Sequence, residues 1–166
     1  MTRFIYCPEC AGKLAPEEHG WPTCPEGHFT KYPTPVAATL ALVRNDDQYL
    51  VIRRSHAPRK GYWDLPGGFV EPGESALDTL IREIREETGL EVEEAKLLGT
   101  YPSVYGETGS RTLATGYVFD SIGREVALSE ENDKYMWCGL NDMPELAFED
   151  CTQAVKDLQQ LLVLQA

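Results

Sequence analysis

The chain lacks any long apolar run. No stretch of its 166 residues approaches the roughly 18 uninterrupted apolar residues that a membrane-spanning helix needs. Its N-terminus also lacks the apolar core of a signal peptide. With 42% hydrophobic and 25% charged residues, the composition is that of a globular protein able to bury a core. We therefore expect a cytoplasmic protein with no membrane partner.

Basic residues are scarce. The chain has 15 Lys and Arg against 27 Asp and Glu, which gives a formal net charge of −12. A surface this acidic repels a nucleic-acid backbone, so extended binding to DNA or RNA is disfavoured. A small phosphorylated molecule can still bind where divalent cations and a few Arg or Lys side chains screen the carboxylates.

Cysteines are few and odd in number, which disfavours a disulfide framework. Of the five, Cys7 and Cys10 are separated by two residues, thirteen residues follow, and Cys24 then stands four positions before His28. This spacing fits a zinc site of three thiolates and one imidazole. Coordination entirely by protein side chains would make the zinc structural rather than catalytic. Free thiols are the alternative.

The chain divides near Tyr32. Before it there is almost no periodic apolar pattern, and after it Pro33 and Pro35 mark a short linker. Beyond the linker, apolar spacing and turn residues predict alternating strands and helices. The predicted strands are 36–43, 49–53, 62–65, 95–100, 112–119 and 134–138, and the predicted helices are 75–88 and 148–164. Strands around two helices predict an α/β or α+β sandwich.

The helix predicted over 75–88 has clear start and stop signals and a distinct apolar face. Ser75 can cap its start, Asp78 completes a capping-box pattern, and Gly89 is placed to end it. Its apolar face is formed by residues at helical spacing, namely Leu77, Leu80, Ile81 and Ile84.

A second stripe on this helix consists of Glu83, Glu86 and Glu87. At 100° per residue, this stripe lies roughly 115° from the apolar one and should border a cleft. A solvated acidic face is the simpler interpretation. However, three carboxylates near the C-terminal end of a helix oppose both their mutual repulsion and the helix dipole. Mg²⁺ or Mn²⁺ would resolve that conflict, because both ions prefer carboxylate oxygen.

The segment from Gly68 to Leu90 resembles the full Nudix box. The matching residues are Gly68, Glu74 after five residues and, after seven more, Arg82-Glu83-Ile84-Arg85-Glu86-Glu87-Thr88-Gly89-Leu90. Nine positions are fixed over 23 residues, so a chance match is very improbable. The resemblance extends over about 35–164. It implies a Nudix fold, a mixed sheet between helices, and hydrolysis of a nucleoside diphosphate linked to another moiety.

The resemblance also implies roles for individual residues. Glu83, Glu86 and Glu87 would bind divalent metals, and Arg82 would orient a glutamate through a salt bridge. The backbone of the glycine loop, at Gly67 or Gly68, would face the metals. Glu74 would support the start of the helix or a metal-bound water.

Attack of water on a polyanionic pyrophosphate requires charge neutralisation and a positioned nucleophile. Bridging metals would lower the pKa of a bound water and stabilise the attacking and leaving oxygens. A carboxylate would then take the proton. The candidates for this base are Glu87 and, in a loop, Glu107, for which a solvated loop tip is the alternative.

The N-terminal cysteines resemble the zinc ribbon that precedes some Nudix domains, including those of NADH pyrophosphatases. Two CxxC knuckles and a Tyr-Pro linker are usual there. Here Gly27 occupies the position of the fourth cysteine, so His28 would substitute from the next position, with His19 as the alternative. We therefore predict a zinc-ribbon-like module at 1–32 and a Nudix hydrolase domain at 35–166.

Candidate substrate contacts are cationic and aromatic. Arg54, one of four cations between residues 53 and 60, could contact phosphates or remain solvated, and Arg111 adjoins the Glu107 loop. Three aromatic residues could stack on a base or enter the core: Tyr62, Trp63 and Phe69. We expect a small-molecule nucleotide substrate, ADP-ribose-like or a dinucleotide such as NADH, that releases a nucleoside monophosphate. The chain is compatible with a homodimer.

Two other functions fit parts of the sequence. A non-catalytic Nudix module could bind a nucleotide while the ribbon engages a partner, but the mark of such a module is a lost box glutamate, and none is lost. A ribbon that binds capped transcripts is disfavoured by the acidic charge. In the segment that contains the cysteine cluster, Lys13 is almost the only basic residue.

Overall fold

A computed structural model describes residues 4–16, 21–32, 34–106 and 109–165. The chain forms two compact units, Met1–Pro35 and Val36–Ala166. Neither α-helix in the described ranges combines the length and the apolar character that crossing a membrane requires.

The N-terminal unit is built on two tight turns. In the first, the N–H of Cys7 donates to the carbonyl of Gly12 at 2.8 Å, and in the second the N–H of Cys24 donates to the carbonyl of Phe29 at 2.7 Å. A short antiparallel pair lies between the turns, formed by β1 (Ala15–Pro16) and β2 (Pro22–Thr23). Each turn thus presents at least one cysteine from a backbone held by hydrogen bonds.

The second unit is a mixed sheet with a helix on each face. Its strands are β3 (Val36–Asn45), β4 (Gln48–Arg54), β5 (Trp63–Asp64), β6 (Glu91–Tyr105), β7 (Ser110–Ile122) and β8 (Asn132–Gly139), and its helices are α1 (Ala76–Thr88) and α2 (Glu149–Gln165). The strand order is β5-β4-β3-β7-β6, with β8 paired to β4. Strands β3 and β7 run parallel, and the other pairs run antiparallel. The predicted α+β sandwich is confirmed.

Alternation along β3 divides the core into two layers. Leu40 and Leu42 pack with residues of α2, whereas Ala41 and Val43 pack with residues of α1. Successive strand residues point to opposite faces, so one strand serves both layers. Because both of its faces are buried, β3 reads as a continuous apolar run in the sequence.

The helix α1 begins and ends where its sequence signals lie. The hydroxyl of Ser75 accepts the N–H of Asp78, the Asp78 carboxylate accepts the N–H of Ser75, and Gly89 adopts the left-handed conformation at φ 70°. The predicted apolar face needs one correction. Leu80 and Ile84 are fully buried, but Ile81 is 46% exposed, because the core that covers this helix reaches only one edge of its apolar stripe.

Strand β6 is longer than predicted, at Glu91–Tyr105 rather than 95–100. Among the described residues it pairs only with β7, and all five of its residues from 93 to 97 are exposed. An edge strand of this kind need not show the apolar alternation from which strands are predicted.

Strands β3 and β4 separate at the point where the glycine loop lies. Strands β3 and β4 pair only beside their connecting turn. Farther along, the segment that follows β5 takes the place of β4 beside β3. Three backbone hydrogen bonds hold it there: Ala41 N–H to Pro66 O at 2.8 Å, Thr39 N–H to Gly68 O at 2.8 Å and Val70 N–H to Ala37 O at 3.1 Å. This separation sets the glycine loop next to the glutamates of α1.

Candidate active site

Arg82 connects three of the box glutamates. Its Nε and Nη2 donate to the two carboxylate oxygens of Glu74 at 2.8 and 3.0 Å. Its Nη1 donates to Glu83 at 2.9 Å and to Glu86 at 3.2 Å. The bidentate bond to Arg82 is the main reason that the pKa of Glu74 is lowered to about 2. Since one guanidinium faces three carboxylates, the cluster remains negative and suited to cations.

Glu87 is held against the glycine loop. Its carboxylate accepts the N–H of Gly67 at 3.0 Å and the side-chain amide of Asn132 at 3.5 Å. Burial raises the pKa of Glu87 to about 8, and the nearby charges of Glu83 and Asp64 add to the rise. Within the described ranges no cationic side chain forms an ion pair with Glu87. A divalent cation is therefore the kind of partner that this carboxylate fits.

We expect Glu87→Gln to stabilise the magnesium-free protein at alkaline pH. The folded chain holds a proton at Glu87 up to a pKa of about 8, whereas an unfolded glutamate releases it near 4.5. The stability contributed by this proton is complete below the unfolded value and lost as pH rises through the folded value. Glutamine retains the acceptor oxygen and carries no charge.

Thermal unfolding at about pH 6 and about pH 9 measures this effect. The Tm advantage of Glu87→Gln over the wild type should be larger at the higher pH. An identical change of Tm with pH in both proteins would show that Glu87 is not the titrating group.

The glycine loop approaches two neighbours closely. A β-carbon at Gly67 would clash with the carbonyl oxygen of Thr39, and one at Gly68 would clash with the carboxylate of Glu83. The hydroxyl of Thr39 also bonds the carbonyl of Gly68 at 3.1 Å. Backbone and carboxylate oxygens thus meet at one place, and this donor set suits Mg²⁺ or Mn²⁺.

Gly67→Ala and Gly68→Ala should separate stability from activity. The clash at Gly67 is with the backbone of β3, so we expect the free energy of unfolding to fall by about 1–3 kcal/mol. The clash at Gly68 is with a side chain that can swing away, so the fold should persist while turnover falls about 10²-fold. Urea unfolding and turnover of both variants check this. Wild-type turnover in Gly68→Ala would contradict it.

A cleft of about 450 Å³ opens beside the glutamates. Its lining combines carboxylates, aromatic rings and small polar groups, including Glu83, Glu131, Phe69, Tyr105, Phe148 and Asp150. The negative charge of Glu131 contributes to raising the pKa of Glu83, after burial as the main cause. The volume lies in the range typical of small-molecule sites.

Of the three predicted substrate contacts, only Arg54 lines the cleft. Its Nε donates to the carbonyl of Pro58, its Nη1 to the carboxylate of Asp64 and its Nη2 to the hydroxyl of Tyr105. Three of its five N–H groups are therefore engaged by the chain itself, which leaves two for other acceptors.

Two other predicted contacts do not line this cleft. The ring of Tyr62 lies under the guanidinium of Arg59 at 5.5 Å. Arg111 is exposed and adjoins Thr112 on β7, so its side chain points away from the face on which Thr112 lines the cleft. Glu107, the loop candidate for the base, lies outside the described residues.

Several residues of the site were not found from the sequence. Asp64 lies on β5 and Asn132 on β8, while Phe148 immediately precedes α2 and Asp150 lies in its first turn. No motif or spacing connects them to the box. Only the pairing of β4 with both β5 and β8, and the packing of α2 on the sheet, bring them to it.

The cysteine turns form a compact cluster in the N-terminal unit. The ligand atoms of Cys7, Cys10, Cys24 and His28 all lie within 4.8 Å of one another. The Sγ atoms of Cys10 and Cys24 are 3.7 Å apart. Two thiolates bound at about 2.3 Å to a tetrahedral zinc would lie about 3.8 Å apart, so the cluster has the size of a zinc site. His19, the alternative ligand, lies outside the described residues.

Comparison with known proteins agrees with the fold. The NUDIX domain model matches residues 33–157. The chain is 36% identical over 129 residues to the ADP-ribose pyrophosphatase of Methanocaldococcus jannaschii, covering 78% of this chain and 76% of that protein. It is 28% identical over 149 residues to the NAD-capped RNA hydrolase NudC of Vibrio parahaemolyticus, covering 89% of this chain. It spans only 56% of the length of that relative.

A solved structure gives the same result. The crystal structure of a MutT NUDIX hydrolase from Burkholderia pseudomallei superposes with a TM-score of 0.69 at 28% identity, covering 75% of this chain and 98% of that one. The match to the NUDIX domain model and to relatives named as pyrophosphatase and hydrolase identifies a hydrolase that acts on acid anhydrides. The chain belongs to the NUDIX family.

Proposed function

We propose that this protein hydrolyses the pyrophosphate bond of a nucleoside diphosphate linked to another moiety, with Mg²⁺ or Mn²⁺ as cofactor. The observation that carries the proposal is the approach of Glu83 and Glu87 to the glycine loop beside a cleft of about 450 Å³, with Glu86 joined to Glu83 through Arg82. An ADP-ribose-like compound or a dinucleotide such as NADH is the proposed substrate. The resemblance to an ADP-ribose pyrophosphatase supports the first of these.

The chain itself supplies binding and orientation. Glu83, Glu86 and Glu87, with the backbone at Gly67, would hold the divalent ions, and Arg82 fixes the positions of two of these carboxylates. When bound, such ions neutralise the pyrophosphate charge and make a bound water acidic.

A carboxylate beside the attacking water completes the proposed chemistry by taking its proton. Glu87 and Glu107 remain the proposed candidates. Glu87 lies against the glycine loop at Gly67. Its pKa of about 8 applies to the chain without bound ions, and a nearby divalent cation would lower it.

A product screen with Mg²⁺ or Mn²⁺ tests the function. Its substrates are ADP-ribose, NADH, FAD, nucleotide sugars and nucleoside triphosphates, and the products are separated by chromatography. We expect ADP-ribose or a dinucleotide to give a nucleoside monophosphate and a phosphorylated remainder. Tight binding of one compound without turnover of any would instead support a nucleotide-binding module.

We further propose that residues 1–32 form a zinc-ribbon-like module ahead of the hydrolase domain at 35–166. Cys7, Cys10, Cys24 and His28 would hold one structural Zn²⁺. The sulfur spacing and the convergence of the four side chains support this assignment.

Cys24→Ser should lose zinc while Cys138→Ala retains it. Cys24 belongs to the cysteine cluster, whereas Cys138 is a buried thiol of the sheet. Removing one of four ligands leaves an incomplete coordination shell, so we expect metal content to fall from about one zinc per chain to well below that. Elemental analysis of the purified proteins measures it. Equal zinc in both variants would exclude the proposed site.

A further inference from the structure

The floor of the cleft carries polar side chains that the proposed hydrolysis does not use. Asp150, at the start of α2, is only 9% exposed and lines the cleft. One of its carboxylate oxygens accepts the N–H of Cys151 at 2.9 Å. Burial is the main reason that the pKa of Asp150 is raised. A carboxyl group enclosed in this way binds partners that donate hydrogen bonds.

Thr112 is a second polar group of this floor. It lies opposite Ser103 in the pairing of β7 with β6, is only 4% exposed and lines the cleft. No described residue forms a hydrogen bond with its hydroxyl, which is accessible from the cleft. A hydroxyl that is accessible from the cleft can donate to or accept from a bound ligand.

One wall of the cleft is aromatic and fixed in place. The ring of Tyr105 stacks on Phe148 at 5.2 Å and meets the edge of Phe69 at 5.2 Å. Arg54 fixes this wall, because it donates to the hydroxyl of Tyr105 and lies 5.2 Å over the ring of Phe148. A rigid aromatic wall beside hydrogen-bonding groups fits a flat heteroaromatic ring with a polar edge.

We propose that this part of the cleft binds the nucleobase of the substrate and selects bases that carry an exocyclic amino group. The ring would lie against the aromatic wall, the amino group would donate to Asp150, and the hydroxyl of Thr112 would bond another atom of the ring edge. The inference rests on the proposed function for the nucleotide nature of the substrate. It adds a preference for adenine over hypoxanthine, in which a carbonyl oxygen replaces the amino group and would face the Asp150 carboxyl.

Thr112→Val gives the first test, with Thr115→Val as the matched control. Thr115 lies three residues farther along β7, on the opposite face of the sheet. Because no described residue bonds to the hydroxyl of Thr112, its loss should leave Tm nearly unchanged. We expect the KM for ADP-ribose to rise about fivefold to tenfold, the loss of one hydrogen bond, with kcat within about threefold. Thr115→Val should leave KM unchanged.

Asp150→Asn gives the second test. Asparagine keeps the acceptor for the N–H of Cys151 but adds a donor, which suits the carbonyl of hypoxanthine. The ratio of kcat/KM for ADP-ribose to that for IDP-ribose should fall about tenfold or more. An unchanged ratio together with an unchanged KM in Thr112→Val would overturn the proposal, even if turnover of ADP-ribose were normal.

Binding of AMP, measured by calorimetry without divalent ions, separates this proposal from the proposed function. If no compound is hydrolysed but AMP binds, and binds more weakly to Thr112→Val, the base site stands and the hydrolysis does not. If hydrolysis proceeds but AMP binds equally to the wild type, Thr112→Val and Asp150→Asn, the base site is refuted. Absence of both turnover and AMP binding would refute the two together.

Discussion

Glu86→Gln should abolish most turnover without unfolding the protein. The side chain of Glu86 is 59% exposed, and its ion pair is a single bond of 3.2 Å from Arg82, so little stability depends on it. Its carboxylate shares the guanidinium of Arg82 with Glu83, whose own carboxylate faces Gly68. Replacing it with a neutral amide weakens the hold on a divalent cation at the point where charge develops in the transition state. We expect kcat to fall about 10²–10³-fold.

The control for this substitution is Glu91→Gln. Glu91 is also an exposed glutamate that pairs with an arginine of α1, Arg85, at 2.6 Å. It is not part of the box cluster, so its variant should retain wild-type turnover. Steady-state rates across a range of Mg²⁺ concentrations, with Tm for each protein, complete the comparison. Full turnover in Glu86→Gln would refute the assignment of this residue to the metal site.

Arg54→Met should cost about 3–5 kcal/mol in the free energy of unfolding, because it leaves a buried carboxylate unpaired. The residue Asp64 is 7% exposed, and its carboxylate lies 3.1 Å from Arg54. The side chains of Asp64 and Arg54 are 10% and 13% exposed. Burial raises the pKa of Asp64, and the guanidinium of Arg54 opposes that rise. Without Arg54, the carboxyl group must be buried as an anion or take up a proton.

The neighbouring Arg53→Met provides the matched control. Arg53 pairs with Asp133 at 2.8 Å, but these side chains are 27% and 46% exposed, so the loss should stay within about 1 kcal/mol. Urea unfolding of both variants measures the difference. The penalty for Arg54→Met should also be smaller at pH 5 than at pH 8, since protonation relieves the unpaired charge. Equal losses in the two variants at both pH values would contradict this interpretation.

The local parts of the fold could be predicted from the sequence because their signals are local. Ser75, Asp78 and Gly89 fix the ends of α1 through backbone hydrogen bonds to near neighbours. The positions of Glu83 and Glu87 on one stripe follow from helix geometry alone. The cysteine spacing likewise predicts a site of three thiolates and one imidazole, and the sulfur and imidazole atoms do converge.

The remainder of the site depends on contacts between distant segments. Asn132 reaches Glu87 across 45 residues, and Cys151 reaches Asp64 across 87. Such neighbours are determined by sheet order, which no periodicity reveals. Arg54 shows the same difficulty in another form. Its charge fits a phosphate contact, but the need to pair the buried Asp64 decides where its donors point.

Phosphorus NMR of the wild-type protein with ADP-ribose and Mg²⁺ tests the proposed hydrolysis most directly. The two pyrophosphate resonances should disappear together and be replaced by two phosphomonoester resonances of equal intensity, from AMP and ribose 5-phosphate. The conversion should require Mg²⁺ or Mn²⁺ and should slow severely in Glu86→Gln. Persistence of the pyrophosphate resonances in a protein that binds both ADP-ribose and the metal would contradict the proposed hydrolysis.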